Sequence, residues 1–195
     1  MKKLIEIAIE AGASTAKLMD VNNIFIDERV RLKCYVPRCD AYGRHLMCPP
    51  HTLSVKEFKK ILSQYKKALI VQIEAHQNSL DKSKTLGLED KELFEEQMKA
   101  LRPFKTKAAE VIDKVEKEAF KMGYAYAAGL GSGRCELCGA ECPGIKDEIC
   151  RHPFKARPAM EAMGIDVQRT AENVGLSVKL SSDIAVRFTG LILID

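Results

Sequence analysis

All seven cysteines of the 195-residue chain belong to two groups that lie far apart in the sequence. The three-cysteine group has the spacing C-x4-C-x8-C and consists of Cys34, Cys39 and Cys48. The four-cysteine group has the spacing C-x2-C-x3-C-x7-C and consists of Cys135, Cys138, Cys142 and Cys150. Cysteines that serve only as small buried side chains would scatter over helices and strands, whereas these lie among glycines and prolines. We therefore predict that both groups bind metal.

The spacing of the four-cysteine group favours an iron–sulfur cluster. Three thiolates within eight residues can surround a compact polynuclear centre, and Cys142-Pro143 provides the Cys-Pro step found in such sites. The alternative is structural zinc. Zinc sites usually present two separated C-x2-4-C knuckles, and only Cys135 and Cys138 form one here. We predict one [4Fe-4S] cluster at this group, with zinc as the alternative.

The three-cysteine group has no fourth thiolate, which leaves two interpretations open. It could hold a second iron–sulfur cluster whose last iron position is taken by a histidine, a water or a substrate. It could instead hold zinc with three cysteines and one histidine, for which His45 and His51 are the candidates. An open coordination position distinguishes a catalytic metal from a structural one. We therefore predict that this group is the functional site, unless a histidine closes it.

Basic residues accompany both groups. Near the three-cysteine group, where Asp40 is the single carboxylate between residues 31 and 51, they are Arg31, Lys33, Arg38 and Arg44. Near Cys150 they are Arg151, Lys155 and Arg157. These cations could stabilise a negatively charged cluster, hold a small anionic substrate or face a redox partner protein. An ordinary solvated surface is the remaining interpretation.

The composition excludes several classes of protein. A net charge of +4 is too mild to indicate nucleic-acid binding, and the chain has no apolar run long enough for a membrane span. The apolar N-terminal stretch carries Glu6 and Glu10, which a secretory signal would not. Clustered cysteines in an odd number are typical of a reducing compartment, so we expect a cytoplasmic protein.

Patterning before residue 105 predicts a helix over residues 2–18, an extended segment over 23–35 and an irregular loop over 36–53. Ser54 and Glu57 have the spacing of a capping box. They should start a helix whose apolar stripe consists of Val55, Phe58, Ile61, Leu62 and Tyr65. Residues 68–73 read as a buried strand, and Gly87 and Pro103 as turn signals in the charged stretch 78–104.

Patterning in the second half predicts a long helix over residues 105–122 that ends at Gly123, followed by a strand over 124–130. Two further helices are expected over residues 156–163 and 167–173, and two strands over 177–180 and 186–194. Helices and strands alternate without regular βαβ spacing. We therefore predict one α+β domain over residues 1–195, with a mixed or antiparallel sheet and two metal-binding loops.

The two cysteine groups in this order resemble a known family. The resemblance also covers Tyr42-Gly43, Cys48-Pro49-Pro50, Cys142-Pro143, Cys150-Arg151-His152-Pro153 and Gly164-Ile165-Asp166-Val167. The family is an uncharacterised prokaryotic group of predicted metal-binding proteins of unknown function. The resemblance implies a cytoplasmic metalloprotein, common in anaerobes, and it makes each of the seven cysteines a candidate ligand. It implies no particular reaction or substrate.

Overall fold

The computed structural model describes residues 1–76, 90–139, 141–147, 149–178 and 184–195. The strands in chain order are β1 (Thr15–Asp20), β2 (Lys67–His76), β3 (Ala128–Leu130) and β4 (Ile184–Ile194). The α-helices are α1 (Lys2–Glu10), α2 (Leu32–Tyr35), α3 (Val55–Leu62), α4 (Asp90–Lys121), α5 (Gly144–Asp147) and α6 (Val167–Glu172). Short 3-10 helices occur at Val21–Asn23, Glu28–Arg31 and Glu161–Met163.

The four strands form one antiparallel sheet in the order β1-β2-β4-β3. The central pair is the longest, with β2 and β4 in register from Lys67 opposite Ile194 to His76 opposite Ile184. Residues 68–73 are buried on both faces of the sheet, which explains why their sequence is continuously apolar apart from Gln72. The prediction of a single α+β domain with an antiparallel sheet is confirmed. In the described part of the chain no helix has the length and apolar composition needed to cross a membrane.

Alternate residues of the central strands point to opposite faces, so the sheet separates two apolar cores. The first core lies under α1 and α4 and includes Leu4, Leu69, Val71, Val111, Ile112, Val115, Ile192 and Ile194. The second core lies under α3 and the chain near residues 160–171 and includes Phe58, Leu62, Ala68, Ile70, Met160, Ile165, Leu191 and Leu193. Both cores are therefore built on the same two strands.

Helix α4 approaches the sheet most closely where two strands carry glycine. Ile112 of α4 packs against Gly129 of β3 and Gly190 of β4. A Cβ at Gly129 would lie 2.6 Å from Ile112 Cγ2, and a Cβ at Gly190 would overlap the same side chain. The two glycines thus let the helix rest on the backbone at the point where the loop to the four-cysteine group leaves β3.

Several local predictions are confirmed. Ser54 accepts a hydrogen bond from the Glu57 amide while Glu57 accepts one from the Ser54 amide, so the capping box starts α3. Ile61 is an exception within the predicted stripe, because it is exposed. Gly123 follows α4 with φ +95°, a conformation that favours glycine. Residues 167–172 and 184–194 form the expected helix and strand.

The predictions for the N-terminal segments were wrong. α1 ends at Glu10, and after Gly12, which has φ +108°, the chain turns back to pair with β2 as β1. The helical pattern of residues 2–18 is overridden because the edge of the sheet supplies hydrogen-bond partners. The stretch 23–35 is not extended either. It contains the 3-10 helix Glu28–Arg31 and α2, and within it Ile26 forms a β-bridge to Ile165.

The boundaries in the second half also differ from prediction. α4 begins at Asp90 and continues through Pro103, although a proline cannot donate the backbone hydrogen bond of that position. The predicted strand over 124–130 is limited to β3. The predicted helix over 156–163 is reduced to Glu161–Met163, since residues near Ala159 are extended and pair with Gly131. Ser177 and Val178 are not in a strand, while residues 179–180 and Gly87 lie outside the described residues.

Replacing Gly190 with alanine is expected to lower the free energy of unfolding by about 1–3 kcal/mol, because the new Cβ overlaps Ile112. In the double variant Gly190→Ala/Ile112→Val, the loss should be smaller than the sum of the two single losses. Urea unfolding of the wild type, the two single variants and the double variant measures this coupling. Strictly additive losses would contradict the helix–strand contact.

Candidate metal centre

The four-cysteine group surrounds one small cavity. All four of its cysteines line the cavity, together with His45, Leu46, Met47, Leu137, His152 and Ala156. The loop that carries them turns at Gly139, which has φ +83°, and at Gly144, where a Cβ would lie 2.5 Å from the Ile149 carbonyl oxygen. The loop can therefore fold tightly enough to bring four cysteines distant by up to 15 positions to one place.

Backbone amides point at the sulfurs of this group. The His152 amide donates a hydrogen bond to Cys150 Sγ at 3.4 Å. Burial raises the pKa of the Cys135 thiol, a hydrogen bond from the Leu137 amide lowers it, and the other three cysteines of the group raise it. Amide donors of this kind stabilise thiolate ligands and tune the metal that they hold. The donor set therefore fits a metal that prefers sulfur, whether iron in a cluster or zinc.

The three-cysteine group is assembled by α2 and the turns that follow it. Cys34 lies in α2, and its carbonyl accepts a hydrogen bond of 3.2 Å from the Cys39 amide. Cys39 is exposed, and its thiol donates to Asp40 Oδ1 at 3.6 Å. Cys48 is buried, and burial together with the nearby Cys39 and Cys34 raises its pKa to about 12. Its thiolate needs a metal or another cation to be stable at neutral pH.

The structure brings the two groups next to each other. Cys135 contributes to the raised pKa of Cys48, so charges on the two sulfurs would repel across the boundary between the groups. Two ion pairs join the loops, Arg134 to Asp40 at 2.5 Å and Arg44 to Glu141 at 3.2 Å. The two cysteine groups therefore lie side by side in the fold.

The two candidate histidines of the three-cysteine group differ in their surroundings. His45 is buried and lines the cavity of the four-cysteine group, whereas His51 is exposed. His152 lines the cavity of the four-cysteine group as well. Ligation of the three-cysteine site by His45 or His51 stays a prediction. Within the described residues, no three side chains of His, Cys, Asp or Glu converge closely enough to hold a single metal ion.

The basic residues singled out in the sequence divide into two kinds. Arg157 and Arg44 are held by carboxylates, and Arg31 donates to the Leu53 carbonyl at 3.1 Å. Arg38 instead lies over the Tyr42 ring, 5.3 Å from its centroid. These contacts give Arg31, Arg44 and Arg157 structural roles in fixing the loops.

Glu116 of α4 is the anchor of the loop that precedes the four-cysteine group. Its Oε2 accepts hydrogen bonds from the Gly129 amide at 2.7 Å and from Arg157 Nε at 2.6 Å, and its Oε1 accepts from the second Arg157 nitrogen at 2.7 Å. Both side chains are largely buried, with 19% and 17% of their surface exposed. The network ties α4 to the chain on both sides of the four cysteines.

Glu161 is a candidate site residue that the sequence did not reveal. Its Oε2 is buried and has no hydrogen-bond partner within the described residues. Burial raises its pKa, and the attraction of Lys33 lowers it. Its carboxylate in turn raises the pKa of Cys34, which places it near the three-cysteine group. A pattern search for cysteine and histidine ligands could not find it, because the contact depends on the fold.

Replacing Glu116 with glutamine is expected to lower the free energy of unfolding by about 2 kcal/mol, because Arg157 loses a charged, two-pronged partner in a largely buried place. Glu110→Gln is the matched control on the same helix, since Glu110 is exposed. Urea unfolding under reducing conditions with a chelator measures both. Equal, small effects of the two substitutions would show that the network is not important for stability.

Replacing Glu161 with glutamine is expected to stabilise the metal-free protein at pH 7–8 by about 1 kcal/mol, because no charge then has to be buried without a partner. Folding raises the pKa of the Glu161 carboxyl group. Such a group destabilises the protein as the pH rises through its pKa in the folded state. The stability gained by Glu161→Gln should therefore be smaller at acidic pH. Glu10→Gln, at an exposed position, is the control. A destabilised metal-free variant would contradict this account.

Comparison with known proteins supports metal binding by this chain. No curated protein and no solved structure matches it. A family model described as "Predicted metal-binding protein (DUF2284)" matches residues 17–194, a range that contains all seven cysteines. The match confirms the resemblance to an uncharacterised metal-binding family. The chain therefore belongs to the DUF2284 family of predicted metal-binding proteins.

Proposed function

We propose that this protein is an iron–sulfur metalloprotein and that its four-cysteine group binds one [4Fe-4S] cluster. The observation that carries the proposal is that Cys135, Cys138, Cys142 and Cys150 all line one small cavity. Backbone amides of Leu137 and His152 donate to two of the sulfurs. Hydrogen bonds to the sulfurs are among the features that set the reduction potential of a cluster.

The cysteine spacing favours a cluster over the alternative, a zinc-binding structural or interaction protein. The group has a single C-x2-C knuckle, whereas a zinc site usually presents two. Cys142-Pro143 also supplies the Cys-Pro step that is typical of cluster sites.

The three-cysteine group is proposed as a second metal centre, holding either another [4Fe-4S] cluster or zinc. Its fourth position has candidates in His45, His51 and the carboxylate of Glu161. If none of the three coordinates the metal, the fourth coordination position is open for a small substrate. The open-position hypothesis is favoured by the exposure of Cys39, because a substrate could approach the group from solvent.

Two classes of activity follow from this arrangement. Two adjacent centres suit electron transfer to a redox partner protein, for which the proximity of Cys48 and Cys135 is the supporting observation. One open metal position suits chemistry on a small anionic substrate. We propose the cytoplasm as the location, because all seven thiols are free and would stay reduced there. A net charge of +4 gives no reason to propose nucleic acid as a partner.

Metal and sulfide analysis of anaerobically purified protein tests the proposal. We expect about four iron and four sulfide per chain if the four-cysteine group alone holds a cubane, and about eight of each if both groups do. Cys138→Ser should remove the first set and Cys39→Ser only the second, so that each variant is the control for the other. Stoichiometric zinc without acid-labile sulfide, in protein never exposed to air, would establish the zinc alternative.

A further inference from the structure

A second, larger cavity of about 330 Å³ lies beside the four-cysteine group, between α4 and the loop of residues 131–137. Its apolar floor is formed on α4 by Ala108, Ala109 and Ile112. The opposite side is formed by the backbone of Gly131, Ser132 and Gly133. The volume lies in the range of pockets that bind small organic molecules.

The charges around this cavity are strongly unbalanced. Its lining contains a single carboxylate, that of Glu136. It also contains five cationic side chains, which are Arg102, Lys105, Arg134, Lys155 and Arg157. Three of the cations are used by the fold. Lys105 pairs with Glu136 at 2.6 Å, Arg134 with Asp40 at 2.5 Å, and Arg157 with Glu116 at 2.6 Å.

The remaining two cations are available to a ligand. Within the described residues, neither Arg102 nor Lys155 has a carboxylate partner, and both are exposed. With three cations neutralised by three carboxylates, the cavity keeps two positive charges. An apolar floor beneath two free cations matches a molecule with an apolar body and an oxyanion group.

The cavity shares part of its lining with the candidate metal centre. Cys135 and Leu137 line both this cavity and the small cavity inside the four-cysteine group. A molecule bound on the floor of α4 would therefore lie beside the loop that carries a ligand of the metal. The Glu116 network holds this arrangement in place, since it fixes Gly129 before the loop and Arg157 after it.

We propose that this cavity binds a small organic anion, a carboxylate or a phosphate ester with an apolar body, through Arg102 and Lys155. The proposal deepens the proposed function by naming the substrate class. Only the idea that the bound anion is a substrate of the metal centre rests on that function. Binding of the anion itself requires no particular metal.

Titration calorimetry with the full chain, anaerobically purified and of known metal content, tests the binding. The probes are phenyl phosphate and benzoate, with benzyl alcohol as the uncharged comparison. We expect both anions to bind the wild type and the Arg102→Gln/Lys155→Gln variant to bind them at least about tenfold more weakly, because two charge-assisted contacts are lost. The control Lys114→Gln changes an exposed lysine of α4 that does not line the cavity, and it should bind like the wild type.

Three results would overturn the proposal: no binding of either anion below about 10 mM, equal binding of benzyl alcohol, or equal losses in the double variant and the control. The absorption spectrum, recorded in the same titration, separates the two proposals. Anion binding to protein without iron and sulfide would refute the cluster and leave the cavity assignment standing. If protein that contains the cluster binds neither anion, the cavity assignment is refuted and the cluster proposal stands.

Discussion

The arrangement of the candidate site depends on one carboxylate, that of Glu116. A helix, the shortest strand of the sheet and the segment after the last cysteine meet here, and the chain after that strand also pairs with this segment at Gly131 and Ala159. Glu116 joins all three, through the Gly129 amide and the guanidinium of Arg157. The glycines that receive Ile112 allow the helix to come near enough for these bonds to form. Packing and hydrogen bonding are thus concentrated on the same turn of α4.

The parts of the fold that the sequence predicted are those with strong local signals. The capping box at Ser54 and the apolar run of β2 have a physical cause within a few residues, and both are present. Residues 15–18 continue the helical pattern of the N-terminus, and they are part of β1 instead because they pair with β2. Pro103 indicates a turn in the sequence because the effect of a proline on a helix is local, whereas in the structure α4 continues through Pro103, with Leu101 buried nearby.

The same distinction applies to the site. The cysteines could be grouped from their spacing, since the members of each group lie within 16 residues of one another. Their meeting could not be foreseen, because it involves contacts between distant segments, such as the ion pair of Arg134 with Asp40. The same reason applies to Glu161, which lies more than 120 positions from Cys34 in the sequence. The basic residues near Cys150 are evident in the sequence, but their partners are not. In the structure Arg157 is neutralised by Glu116, whereas Lys155 has no carboxylate partner among the described residues.

Cys135 lines both cavities, so the proposed metal centre and the proposed anion site share one residue. A negative charge in the larger cavity would disfavour the Cys135 thiolate, and by thermodynamic reciprocity that thiolate would weaken the attraction for the anion by the same factor. Metal ligation requires the thiolate, and a cluster held by four thiolates carries a net negative charge. Loading of the proposed cluster would therefore be coupled to the affinity of the larger cavity for a small anion.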